Sequence, residues 1–216
     1  MKRRLLIPDL PLDGGTVRLA DSAAHHVRVL RLGVGDAVEL FDGRGRIALA
    51  TIGAVSEGEV LCRAEPAVQR TEGLRVVLVQ ALAKGAKLDA IVRMCTELGV
   101  AEIRLAETLQ AVPRPAADKA LRRVERLRRF AAEAARQSGR SVVPTLVAPA
   151  PLIQAAAAPA RAVRWVLVPG AGRGSDRAGS SDEAWLVVGP EGGLAAKEVT
   201  ALESEGYEPV GLGDHV

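Results

Sequence analysis

Five consecutive residues, Gly189-Pro190-Glu191-Gly192-Gly193, separate an apolar run from a helical pattern. The run from Ala184 to Val188 reads as a buried strand, and helical spacing resumes at Leu194. A glycine-rich turn from strand to helix usually cradles phosphate. This one matches neither G-x-G-x-x-G nor G-x-x-x-x-G-K-[ST], and it puts a carboxylate where an anion would sit. Two more apolar segments run into glycine, at Val168-Pro169-Gly170 and at Leu212-Gly213. Three such strand ends in one parallel sheet would form a pocket in which backbone N–H and C=O groups recognise the ligand. Glycine lets a planar group approach the main chain closely, and alternating donors and acceptors suit a nucleobase edge. Glu191 then favours a ligand that carries positive charge, such as a sulfonium or an amine. Turn glycines without a ligand would account for any one loop, but less well for all three.

The elements that must hold these loops read as two domains. Residues 1–70 are β-rich: "TVRLA", "DAVELFD", "RIALATIGAV" and "EVLCRAE" alternate between turn signals, and their spacing predicts a small β-barrel. One short helix, "DSAAHHVRVLRL", interrupts them, with Asp21 or Ser22 expected as its N-cap. Residues 66–73 have no periodicity and read as a linker. Over 74–216 strands and helices alternate. "LRVVLVQAL", "AEIRLA", "VRWVLVP", "AWLVVG" and "EPVGLG" are the strands. The helices are "KLDAIVRMCTELG", residues 116–138 and "AAKEVTALESEG". This rhythm predicts an α/β fold, a parallel sheet with helices on both faces. In the first of these helices Leu88, Ile91, Val92, Cys95 and Leu98 share a stripe, and Gly99 ends it.

Composition narrows the partners. Apolar residues make up 48% and charged residues 25%, the balance of a globular domain. No apolar run approaches the roughly 20 residues needed to span a bilayer. The start "MKRRLLIPDLPLDGG" is broken by prolines and does not read as a secretory signal. Cys62 and Cys95 lie far apart without metal-ligand spacing, so reduced core thiols in a cytoplasmic protein are expected, with no metal. Net charge is only +3, but residues 118–140 carry eight basic side chains against three acidic ones. That excess suits a polyanion such as RNA. The alternative is a solvated helix face with i,i+4 pairs such as Glu125–Arg129 and Arg129–Glu133.

Four separated segments resemble one family in the same order. "LVVGPEGGLAAKEVTALESEGYEPVGLG" is similar to the GPEGG signature and following helix of the SPOUT-class 16S ribosomal RNA (uracil-N3) methyltransferases. "ALAKGAKLDAIVRMCTELGVAEI" and "RRFAAEAARQSGRSVVP" resemble two internal motifs of that family. "SAAHHVRVLRLGVGDAVELFDGRG" resembles its PUA-like RNA-binding domain. The resemblance implies a trefoil-knotted SPOUT α/β methyltransferase domain over 74–216, preceded by a small PUA-like β-barrel over 1–70. It also implies a homodimer that binds S-adenosylmethionine at the knot and methylates N3 of a uridine in 16S ribosomal RNA, free or in the small subunit.

Carried over by position, Val168, Pro169, Gly170, Gly189, Glu191, Gly192, Gly193, Leu212 and Gly213 would line the cofactor pocket. Transfer to N3 requires loss of its proton and alignment with the S–CH₃ bond, and a nearby guanidinium would stabilise the uracil anion. Arg136 and Arg140, with Arg3 or Arg4, are the candidates, and Glu133 is a candidate base or an anchor for an arginine. Glu191 is likewise a candidate base or a brace for its loop. Expected RNA contacts are Arg3, Arg4, His26, Arg28, Arg31, Lys84, Lys87, Arg122 and Arg129. Lys84, Lys87 and Asp89 fit helix-start electrostatics equally well. Family sequences continue past the final Leu-Gly with a helix that threads the knot, whereas this sequence reads "GLGDHV", so an ordered tail is expected only with cofactor bound. The competing expectation is a non-catalytic RNA-binding protein with an incomplete knot.

Overall fold

The computed structural model describes residues 3–56, 59–70, 73–83, 85–111, 117–172 and 181–211. The expectations placed on Lys84, Leu212 and Gly213 therefore lie outside the described residues. The chain divides into two compact units, Met1–Glu72 with Ala132–Val143, and Gly73–Ala131 with Pro144–Val216. Among the described residues no helix is long and apolar enough to cross a membrane.

The first unit is a six-stranded sheet with one helix. Its strands are β1 (Arg4–Leu6), β2 (Gly15–Leu19), β3 (Ala37–Phe41), β4 (Arg46–Val55), β5 (Val60–Ala64) and β6 (Val68–Gln69), and its helix is α1 (Asp21–Val29). The order is β1-β3-β4-β5-β2, with β6 paired to β4. Among the described strand pairs of this sheet, only β1 and β3 run parallel. Period-two alternation buries Ala48, Ala50 and Ile52 of β4 over a core with Leu19, Val27, Leu40 and Val60. Cys62 belongs to this core, where burial pushes its thiol up to about 11.

Three local expectations change here. The N-cap of α1 is Ala20, which makes no side-chain cap bond, rather than Asp21 or Ser22. The apparent linker 66–73 contains β6, whose two residues pair with Arg46 and Ile47; two residues are too few to show a period. The three residues of β1 are likewise too few to show a period.

The second unit is a six-stranded, all-parallel sheet. It contains β7 (Arg75–Ala81), α2 (Lys87–Leu98), β8 (Glu102–Glu107), α3 (Ala117–Ser138), β9 (Thr145–Pro151), α4 (Leu152–Ala155), β10 (Val163–Leu167), β11 (Glu183–Val188), α5 (Ala196–Ser204) and β12 (Glu208–Val210). The last turns of α3, from Ala132, group with the first unit. Strand order is β12-β10-β11-β7-β8-β9. The chain steps outward from β7 to β8 and β9, then crosses to β10 and inserts β11 between β10 and β7. Such an order reversal leaves a crevice beyond the carboxyl ends of the strands, where open α/β sheets bind ligands.

Sequence periodicity missed β9 and α4, because "TLVAPAP" contains two prolines. The strand lies at the sheet edge, where a missing N–H is tolerated. The stripe on α2 is also shifted: Leu88, Val92 and Thr96 are buried while Leu98 is 77% exposed. Thr96 fits there because its hydroxyl donates to the Val92 carbonyl at 2.7 Å.

Candidate functional site

Beyond the carboxyl ends of β7, β10, β11 and β12 lies a cavity of about 380 Å³. Its walls come from four places: Gln80 and Ala83 at the end of β7, Lys87 and Ile91 of α2, Leu167 to Pro169 after β10, and Val188 to Glu191 with Gly193 after β11. Val210 of β12 closes the remaining side. Of the residues expected around the cofactor, Val168, Pro169, Gly189, Glu191 and Gly193 line this cavity. Gly170 and Gly192 stand in the same two loops without lining it.

The loops take their shape from close packing of main chain. The turn after β11 closes through the Gly193 N–H, which donates to the Pro190 carbonyl at 2.9 Å. A Cβ on Gly189 would lie 3.1 Å from the main chain of Gly193 and Leu194, so the loop folds directly over this glycine. On the opposite wall, the Val168 N–H donates to the Val210 carbonyl at 3.0 Å and the Gly211 N–H to the Gly172 carbonyl at 2.8 Å. A Cβ on Gly211 would stand 2.2 Å from the Ala171 carbonyl oxygen, closer than any side chain permits. Glycine at 211 is therefore what lets the loops after β10 and β12 lie together.

Among the described residues, the charged groups that line the cavity are Lys87 and Glu191, at its exposed side. Lys87 Nζ lies 3.5 Å from Glu191 Oε1, both side chains about half exposed. Lys87, expected as an RNA contact, lines the pocket. Sequence reasoning passed over Gln80, which is buried and donates through Nε2 to the Ala81 carbonyl at 3.0 Å. It also passed over Ala83, Ile91 and Val210. The only signal for any of them was position at a strand end or on the inner stripe of α2.

The basic helix α3 is less of a free polycation than its composition suggests. Arg123 donates to the Ala83 carbonyl at 2.9 Å, Arg126 to Asp89 at 2.8 Å, and Arg128 to the Leu146 carbonyl at 3.3 Å. Neither acidic residue pairs with Arg129 at i,i+4 as expected: each takes an i,i+3 partner, Glu125 with Arg128 and Glu133 with Arg136. Arg122 and Arg129 are exposed, as an RNA contact requires. So are Arg28 and Arg31 of the first unit.

Two residues expected to meet substrate are engaged within the first unit instead. Arg4 is fully buried. Its Nε donates to Glu39 at 2.5 Å, its Nη1 to the carbonyls of Ala135 at 2.9 Å and Arg140 at 3.0 Å, and the guanidinium lies 4.5 Å from the centroid of the Phe41 ring. A guanidinium so enclosed reaches neither RNA nor a uracil anion, which corrects that expectation. Arg136 is held by Glu133, with Nε donating to Oε2 at 3.0 Å, and its Nη1 meets His26 Nε2. Burial first, then the Arg136 charge, pulls the His26 pKa below its usual value. Burial raises that of Glu133, but the hydrogen bond and charge of Arg136 outweigh it and leave the carboxyl below its usual range. Glu133 thus anchors an arginine. Arg3 pairs with Asp36 at the surface. Arg140 offers its carbonyl to Arg4.

This geometry agrees with what known proteins resemble. Residues 70–216 match the family model of an RNA methyltransferase domain, and residues 19–65 that of an RNA methyltransferase PUA domain. A ribosomal RNA small subunit methyltransferase E from Synechocystis is 30% identical over the whole chain and 73% of its own length. Among solved structures, the fold matches that of a ribosomal RNA small subunit methyltransferase E from Neisseria gonorrhoeae bound to S-adenosyl methionine. That match has a TM-score of 0.91 at 24% identity and covers all of this chain and 91% of that one. A methyltransferase from Legionella pneumophila, in complex with the cofactor SAM, matches with a TM-score of 0.85 at 25% identity over the same shares. The cavity at the strand-order reversal, its glycine-built walls and these likenesses converge: the chain belongs to the RNA methyltransferase family that includes ribosomal RNA small subunit methyltransferase E.

Proposed function

We propose that this protein transfers a methyl group from S-adenosylmethionine to N3 of a uridine in 16S ribosomal RNA. The observation that carries this reading is the cavity beyond β7, β10 and β11, walled by the Gly189–Gly193 loop in a chain of the RNA methyltransferase family. Its 380 Å³ falls in the range of small-molecule sites. The apolar walls from Ala83, Ile91, Leu167, Val188 and Val210 suit the faces of an adenine, and the exposed main chain suits its edge. At the mouth, the Lys87–Glu191 pair offers one charge of each sign to an amino-acid zwitterion. Glu191 is the group most compatible with a sulfonium.

When bound, S-adenosylmethionine supplies an electrophilic methyl group. The chain's part is to hold the ligand rigidly between loops that already pack on one another, which converts binding into alignment. Apolar walls keep water from the reacting carbon. Arg122 and Arg129 on α3, with Arg28 and Arg31 of the first unit, would position RNA through its phosphates. The reading extends to residues 1–70 as a PUA-like RNA-binding domain and 74–216 as a trefoil-knotted methyltransferase domain. It further takes the protein to be a cytoplasmic homodimer that acts on 16S ribosomal RNA or the small subunit without a metal ion.

Mass-spectrometric mapping of ribosomal RNA from cells lacking the protein tests the reaction. Loss of one N3-methyluridine, restored by the wild-type gene, is the expected result. Calorimetric titration with S-adenosylmethionine tests the pocket. RNA binding without detectable cofactor heat would replace the enzyme by a non-catalytic RNA-binding protein.

A further inference from the structure

We infer that Glu198 is a positioning residue that sets the shape of the 189–193 wall, an inference that rests on the reading of this cavity as the cofactor site. Glu198 stands in the first turn of α5 and is only 8% exposed. It does not line the cavity. Its Oε1 accepts the Leu109 N–H at 2.9 Å, and its Oε2 accepts the Ala195 N–H at 2.9 Å. Those two donors belong to different strand ends. Leu109 follows β8, whereas Ala195 closes the glycine loop that follows β11.

Two points of the glycine loop, its exit at Ala195 and its Gly192, lie within reach of what this one carboxylate holds. Through Ala195 it fixes the exit of the loop into α5. The N-cap residue there is Ala195, which has no side-chain acceptor, so the Ser or Thr half of a capping box is missing and the Glu198 half acts alone. Through Leu109 it fixes the neighbouring Gln110, whose side chain lies against the loop: a Cβ on Gly192 would be 2.6 Å from Gln110 Oε1. The lining residues Gly189, Pro190, Glu191 and Gly193 are thus braced from behind by a group that never meets the ligand.

An ionised carboxylate only accepts hydrogen bonds, which is why one side chain can hold two N–H groups. An amide of the same shape cannot. In Glu198→Gln, whichever way the amide turns, an NH₂ faces a main-chain N–H and one of the two loops is released, while volume and burial are kept.

The test compares full-length wild type and E198Q in three measurements. Amide hydrogen exchange without cofactor is expected to accelerate by about ten-fold at Leu109 or Ala195 and at Gly192 and Gly193, with the central strands β7 and β11 unchanged. The Kd for S-adenosylmethionine is expected to rise by about ten-fold. In methylation assays KM for the cofactor should rise in proportion, while KM for RNA and kcat at saturating cofactor stay within about two-fold. Gln110→Ala, at an exposed position, should raise the cofactor Kd by about two-fold without lowering Tm. Unchanged loop exchange, an unchanged Kd, or a parallel rise of both KM values with a fall in Tm would overturn the inference. A wild-type chain that takes up no S-adenosylmethionine would overturn the cofactor reading instead, and the exchange measurement would still decide whether Glu198 braces the loop.

Discussion

The two units stabilise their critical backbone groups by opposite means. In the first, a charged side chain goes into the core: Arg4 reaches the carbonyls of Ala135 and Arg140 where α3 ends, and Glu39 balances its charge. The last carbonyls of a helix have no partner within it, so a buried guanidinium there satisfies groups that water cannot reach. In the second unit the loops beside the pocket pack main chain on main chain at Gly189 and Gly211, where a side chain would intervene. The difference teaches what each region is for. A buried guanidinium that donates to a carboxylate and two carbonyls builds a permanent joint. Loops held by one another leave a cavity between them.

This contrast breaks most visibly at Arg4. Arg4→Met is expected to lower stability by about 3–5 kcal/mol, since it strands Glu39 and two carbonyls, and denaturant melts measure it. S-adenosylmethionine affinity of the folded fraction should not change, because Arg4 lies in the first unit and lines no part of the pocket. Gly211→Ala should act in the reverse sense. Its Cβ would meet the Ala171 carbonyl oxygen, and overpacking against backbone costs about 1–3 kcal/mol. Here cofactor affinity is expected to fall along with Tm, as calorimetry and thermal melts would show.

A smaller effect concerns pH and sharpens the view of the first unit as a charge-held joint. His26 has a folded pKa below its ordinary 6.5, so the unfolded chain takes up the extra proton and acid favours unfolding. Glu133, held below its ordinary 4.5 by Arg136, acts in the same direction at lower pH. Stability should therefore be fully present above about 6.5 and decline as pH falls, first through His26 and then through Glu133. Thermal midpoints measured from pH 7.5 to 4 test this, and His26→Gln should flatten the upper part of the curve. The smallest effect is expected at Gly192→Ala. The new methyl meets only the flexible end of Gln110, so the change in stability should stay within about 0.5 kcal/mol, in contrast to Gly211.

How far the site was legible in the sequence differs from loop to loop. Gly189, Glu191 and Gly193 stood out because glycine, proline and a carboxylate between a strand and a helix are locally unusual. Gln80 and Val210 did not, since a glutamine or valine at a strand end is ordinary until the sheet brings it beside a cavity. Arginine was the hardest residue to read. Arg4, Arg123, Arg126 and Arg136 were indistinguishable in sequence from Arg122 and Arg129. The folded chain engages the first four internally and leaves the last two exposed. Glu198 was equally silent, because the usual capping-box signal begins with Ser or Thr and this chain has Ala195.

By itself, the sequence determined the succession of a β-rich segment and an alternating α/β segment, the position of most helices, the glycine loop after β11 and the motifs of the RNA methyltransferase family. These are written in local periodicity, turn chemistry and short spacings, which neighbouring residues decide among themselves. Only the tertiary structure decided that β11 inserts between β10 and β7, that β9 and its prolines occupy an edge, and which side chains close a buried acceptor rather than face solvent. Those outcomes depend on pairings between residues far apart in the chain, such as Arg4 with Ala135 and Leu109 with Glu198. No local pattern specifies the partner in such a pair.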